Sequence, residues 1–116
     1  MKGFGGMKDF GGLMKKAQKQ MKDMQRRMSA VEEDLRERAV EGSAGGGMVK
    51  VLFNGLQEPL DVRIDPVILE EESPEFLQEM ILAAIRQGLK KSRDLEETER
   101  SKVTGGLNIP GLDNLL

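Results

Sequence analysis

The sequence predicts an α+β domain in which two long helices, one toward each end, frame a small antiparallel sheet. In the first third, Met14, Ala17, Met21, Met24, Met28, Val31 and Leu35 recur at alternating spacings of three and four. That is the seam of a long helix that seeks a partner surface. In the middle, two runs alternate with period two around Asn54-Gly55, which reads as a hairpin. In the last third, Ser73-Pro74 stands before Phe76, Leu77, Met80, Ile81, Ala84, Ile85 and Leu89. A cap, a proline at the first turn and a wide apolar face predict a second long helix lying on a sheet.

A chain of 116 residues suits one small domain. Charged residues make up 33% and hydrophobic ones 38%, so the core is modest and a second copy would enlarge it. There is no Cys, which excludes disulfides and thiolate metal sites. There is also no His, Trp or Tyr, which removes the usual general base and most base-stacking groups. No apolar run approaches the length a bilayer requires and nothing resembles a signal peptide, so the expectation is a cytoplasmic protein. The net charge of −2 hides an asymmetry. From Lys2 to Met28, eight basic residues stand against Asp9 and Asp23, a net of +6 that leaves −8 for the remainder.

Residues 1–12 carry five glycines and are expected to form a flexible leader. Residues 13–103 form the domain, and 104–116, with Gly105, Gly106, Pro110 and Gly111, a flexible tail. The first helix is placed from about Gly12 to Arg38, about 40 Å at 1.5 Å per residue. Its acidic end (Glu32, Glu33, Asp34, Glu37) opposes the macrodipole and so needs tertiary support. A short strand is expected at 39–41, then a glycine loop. That loop could cradle phosphate, but no Gly-Lys-Ser/Thr follows and the next element is a strand, so a hairpin turn is the better reading.

In the hairpin, pairing Val51 with Val62 also pairs Val49 with Ile64 and Phe53 with Leu60; a slip of one would break this apolar match. Lys50 then faces Arg63 on the wet side. Asp65-Pro66 predicts a short helical turn through Leu69. Glu70, Glu71 and Glu72 form an acidic rim whose spacing fits no calcium loop. The second helix runs from Pro74 to about Lys102, with Gly88 allowing close approach by another backbone and the charged half from Lys90 projecting into solvent.

Catalysis would have to rely on carboxylates, Lys or Ser on exposed faces, where nothing tunes an acid or base, so an enzyme is not expected. The notable chemistry is Lys15, Lys19, Lys22 and Arg26. Spaced by four, three and four, they form one straight stripe opposite the seam. Such a stripe is usually a solvated face. Here it has one sign, Asp23 alone interrupting its neighbourhood, and it lies where a 40 Å helix outgrows strands of about 20 Å. A projecting basic rod suits duplex phosphate backbone, which is bound through counterion release without base reading.

Several motifs then carry a resemblance over nearly the whole chain. They are Leu-Met-Lys-Lys-Ala-Gln-Lys-Gln-Met at 13–21, Gly-Gly-Gly-Met-Val-Lys-Val at 45–51, Asn54-Gly55, Val-Arg-Ile-Asp-Pro at 62–66, and Thr-Gly-Gly-Leu-Asn-Ile-Pro-Gly at 104–111. In this order they resemble the YbaB/EbfC family of bacterial nucleoid-associated proteins. The resemblance implies an α-β-β-β-α protomer with a three-stranded antiparallel sheet. It also implies a homodimer with projecting helical arms, cytoplasmic and in the nucleoid, that binds double-stranded DNA with little sequence preference and could influence gene expression. It implies no cofactor, small-molecule substrate or membrane. The matching positions are Lys15, Lys16, Lys19, Lys22, Arg26 and Arg27 on the first arm, with Arg86, Lys90, Lys91 and Arg93 on the second. The sequence is more basic in its first arm than a typical member and more acidic after Asp94. The alternative is an assembly adaptor that uses the Met-rich seam and the apolar tail, since Met-rich surfaces adapt to partners.

Overall fold

A computed structural model describes residues 2–105, with side chains from Phe10 onward. Its order is α1 (Lys2–Glu37), β1 (Ala39–Ala44), β2 (Val49–Asn54), β3 (Pro59–Ile64), α2 (Pro66–Glu71) and α3 (Pro74–Thr104). The strands form one antiparallel sheet in the order β1-β2-β3. The predicted α-β-β-β-α class is therefore present, with α2 as a short extra turn. The predicted tail lies outside the described residues beyond Gly105. The helix α1 begins at Lys2 rather than near Gly12. Extending a nucleated helix needs no second nucleus, so each glycine there costs only its propensity, about 1 kcal/mol.

The core forms where α3 lies across β1 and β2. Val49, Val51, Phe53, Ile68 and Ala84 are buried, with Ile81, Ile85 and Leu89 packed against them. The crossing is close because two glycines meet. A Cβ on Gly42 of β1 would sit on the Ala84 carbonyl oxygen and 2.5 Å from the Gly88 nitrogen. One on Gly88 would lie 2.6 Å from the Phe53 ring. The expected role of Gly88 is thus realised, and its counterpart Gly42 extends β1 to Ala44, beyond the predicted end at Glu41. The glycine loop contracts to Gly45, Gly46 and Gly47, all at positive φ.

The predicted register holds at Val49–Ile64, Lys50–Arg63 and Val51–Val62. It breaks after Leu52, where Phe53 pairs with Pro59 instead of Leu60. Proline has no N–H for a ladder, and a bulge absorbs it. Both capping predictions hold. The Asp65 carboxylate accepts from the Val67 N–H (3.0 Å), and Ser73 Oγ accepts from the Phe76 N–H (3.2 Å). The Asn54-Gly55 turn works differently from a two-residue hairpin. The left-handed residue is Gln57 (φ 62°), while Gly55 makes room for Leu35, whose Cδ2 would stand 2.7 Å from a Cβ there.

Ser92 closes the far end of the sheet. It is fully buried, donates to the Asn54 carbonyl (2.6 Å) and accepts from both the Gln57 backbone N–H and its side-chain amide (3.0 Å each). The Gly55 N–H donates to the Leu35 carbonyl at 2.7 Å, which secures the end of α1 to the same turn. We expect Gly42→Ala to destabilise the fold by about 3 kcal/mol or more, since the backbones on both sides must part. Gly46→Ala, with open space around it but φ of +67°, should cost about 1–2 kcal/mol. Denaturant midpoints of the two variants check the order.

Candidate nucleic-acid interface

The arm is built from the seam outward. After leaving the sheet at Ser92, α3 continues beside the C-terminal half of α1. Leu95, Glu99 and Val103 of α3 and Met24, Met28 and Val31 of α1 are half-buried, and Leu35 is fully buried. The two helices run in opposite directions, which agrees with a molecule 86 Å long that exceeds either helix alone. The charged half of α3 therefore does not project freely as the sequence suggested. Glu96, Glu99, Arg100 and Lys102 are paired within the arm. Arg38 meets both Asp34 (3.6 Å) and Glu99 (3.2 Å), Lys102 meets Glu99 (3.0 Å), and Arg100 meets Glu96 (2.8 Å).

Arg38 also supplies the support that the acidic end of α1 was expected to need. The Glu99 carboxyl is held below the usual carboxylate range, chiefly by the hydrogen bond from Lys102 and then by Arg38, while burial opposes them. A depressed pKa contributes stability above the unfolded value of about 4.3 and loses it as pH falls through the lower folded value. The contribution of Glu99 is thus present at neutral pH.

Past Met24 the arm is a single helix. Residues 10–22 are exposed on every side. Lys15, Lys19, Lys22 and Arg26 lie along one line of this rod, with Lys16 and Arg27 on the adjacent line. Among the described residues, Lys15, Lys16, Lys19, Lys22 and Arg27 have no acidic partner within ion-pair distance; Arg26 only approaches Asp23, at 4.0 Å. Arg26 and Arg27 border an open hollow lined also by Asp23 and Ala30. Cations left unpaired in water keep their full capacity for an incoming polyanion.

The second set of predicted residues sits elsewhere. Arg86, Lys90 and Arg93, spaced by four and three, form an exposed stripe on the outer face of α3, over and beside the sheet. Lys22 lies 13 positions outward from Leu35 along α1, roughly 20 Å. Lys15, Lys16, Lys19 and Lys22 thus lie well out along the arm, whereas Arg26 and Arg27 lie nearer its root. Lys91 differs from Arg86, Lys90 and Arg93, because its ammonium donates to the Glu41 carbonyl at 2.9 Å. Gln87, not singled out from sequence, accepts from the Ser43 N–H at 2.7 Å. Together they occupy the outer edge of β1, the edge that would otherwise be open to another strand. Their positions on the β1 side of α3 become legible only once Gly88 is known to face Gly42.

No group of His, Cys, Asp or Glu among the described residues could hold a metal ion. No helix among them is long and apolar enough to cross a membrane. We expect Lys91→Gln to loosen β1, seen as faster amide exchange at 40–44, and to leave polyanion binding unchanged within about twofold. A loss of binding equal to that of a stripe lysine would return Lys91 to the interface.

Comparison with known proteins supplies the family. The chain is 47% identical over 102 residues to a nucleoid-associated protein of Pelotomaculum thermopropionicum, covering 88% of this chain and 97% of that one. It is 43% identical over 101 residues to nucleoid-associated protein DP1429 of Desulfotalea psychrophila, covering 87% and 95%. The fold matches the crystal structure of the uncharacterized protein HP0035 from Helicobacter pylori, with a TM-score of 0.61 and 32% identity over 76% of this chain and 89% of that chain. The profile of the YbaB/EbfC DNA-binding family matches residues 7–107, and with relatives this similar over most of their length the chain belongs to that family.

Proposed function

We propose that this protein is a nucleoid DNA-binding protein that acts as a homodimer and grips duplex backbone with little preference for sequence. The observation that carries this reading is the set of exposed, unpaired cations on the free part of α1, on a rod that serves no packing role in the fold described here. A smooth row of Lys and Arg on a straight helix meets phosphates, which repeat regardless of sequence. The scarcity of aromatic groups argues against reading of single strands by stacking. Membership in a DNA-binding family and the names of the nucleoid-associated relatives point the same way. On this reading the protein works in the cytoplasm at the nucleoid, where a pair of arms could influence local gene expression.

The dimer is supported by what α3 leaves uncovered. Val62 pairs with Val51 and so shares its face, yet Val51 is buried while Val62 and Leu60 are 52% and 55% exposed. With the β1 edge occupied by Gln87 and Lys91, the β3 side is the natural place for a second copy. We expect Val62→Glu to shift the protein to monomer at micromolar concentration in sedimentation; an unchanged dimer would place the contact elsewhere, and a monomeric parent would remove the dimer.

The adaptor reading retains one observation in its favour, the exposed outer seam at Met14 and Met21. Salt separates the two readings. Replacing Lys15, Lys19, Lys22 and Arg26 together by Gln preserves helix propensity and the seam. Affinity for unrelated duplexes should fall about equally. The slope of log affinity against log salt should shrink by about 0.9 per lost contact, so by roughly three to four for each arm engaged. Gel shifts at two salt concentrations measure this. A variant that binds random duplex like its parent at low salt makes the stripe a solvated face and advances the adaptor.

A further inference from the structure

The seam of α1 is covered over only part of its length. Its inner residues Met24, Met28, Val31 and Leu35 lie under α3, which ends at Thr104. Beyond that point the same apolar line continues bare through Met21, Ala17 and Met14 to Phe10, with Leu13 beside it. Met21, Leu13 and Phe10 are each 64% exposed, and Met14 49%. A helix of this composition in water wants a cover for that line.

We propose that residues 107–116 of the same chain are that cover, lying as a strap along the outer seam of α1. The argument is one of direction, reach and charge. Because α3 runs outward along α1, the chain leaving Gly105 is delivered to the place where the covered seam stops. From Met24 to Phe10 the seam advances about 21 Å. Eleven residues, 106–116, can span up to about 36 Å when extended. They contain Leu107, Ile109, Leu112, Leu115 and Leu116. Pro110 and Gly111 disfavour continuation of α3 as helix, which suits an extended strap.

A second copy of the arm is the competing cover, and charge disfavours it. Two outer arms packed seam to seam would carry Lys15, Lys16, Lys19 and Lys22 of both copies on the outer sides of one narrow pair, doubling its positive charge, whereas the only charged side chain among 105–116 is Asp113. Tethering adds to this, since a segment joined by a short linker meets its site at an effective concentration of order millimolar. Methionine side chains adapt readily to an irregular strap. The strap would occupy the side of α1 opposite the basic stripe, so it leaves the cations free while it stiffens the rod. This departs from the sequence-based expectation of a free tail, and it holds whether or not the arm meets DNA.

The chain lacks Cys, so engineered cysteines report without background. Ala17→Cys with Ile109→Cys, oxidised with diamide at high dilution, should close an intrachain disulfide at least about tenfold faster than Lys19→Cys with Ile109→Cys, whose helix position faces the other way. Equal rates, or covalent dimers as the main product, would overturn the proposal. In a second measurement, amide exchange at 13–22 is compared between the full chain and one ending at Gly105. Protection should fall at least about tenfold on truncation, the factor that burial of a single Met or Leu side chain represents. Unchanged protection would equally overturn it.

Discussion

The contact between Gly42 and Gly88 governs the rest of the molecule. It brings the backbone of α3 onto the backbone of β1, closer than any side chain would allow. That approach puts Ala84 and Phe53 into the core and presents Gln87 and Lys91 to the outer edge of β1. It also sets the line on which α3 leaves the sheet. Ser92, one turn beyond Gly88, then reaches the 54–57 turn, and that turn holds Leu35 through Gly55. The arm root is thus a consequence of a packing distance set one turn of α3 earlier, and its direction follows from the same contact.

One helix, α1, carries two unlike edges because a straight α-helix separates residues three or four apart from those two apart. The seam at Met24, Met28, Val31 and Leu35 binds the helix to its own fold. The line at Lys15, Lys19, Lys22 and Arg26 points away from it. Neither edge disturbs the other, so the cationic line can be long without costing the core anything. The cost appears only where the two helices pair. There, charges at a partly buried interface need partners, and Arg38, Glu99, Lys102, Glu96 and Arg100 provide them.

Much of this was readable from the residues, and the failures have physical causes. The class, the two capped helix starts, three of the register pairs and the role of Gly88 follow from local rules of period, cap and turn. The bulge at Phe53 was not readable from alternation, although Pro59 hinted at it. The length of β1 was hidden because Gly42 looks like a loop residue until a helix is laid upon it. The turn at Asn54-Gly55 misled for a related reason: its glycine serves Leu35, distant in sequence, and the strained backbone falls on Gln57. The charged half of α3 read as solvated since nothing local indicates that Glu99 faces Arg38. In each case the missing information was a tertiary neighbour.

The candidate site shows the same division in its cations. Composition treats Lys91, Arg100 and Lys102 as the equals of Lys15 and Lys19. The fold separates them by what they already hold. A lysine bonded to a strand carbonyl or a half-buried carboxylate would have to give up that bond before meeting a phosphate, and the exchange gains little. A lysine on a bare rod gives up only water and its counterion atmosphere. Affinity for a polyanion should therefore track unspent charge rather than charge. By that measure the chain, acidic in total, is strongly cationic in the one region where α1 outruns its partner. The same protrusion that leaves the seam bare at Met14 and Met21 leaves the lysines opposite it unspent, so the two edges of the outer arm share a single structural origin.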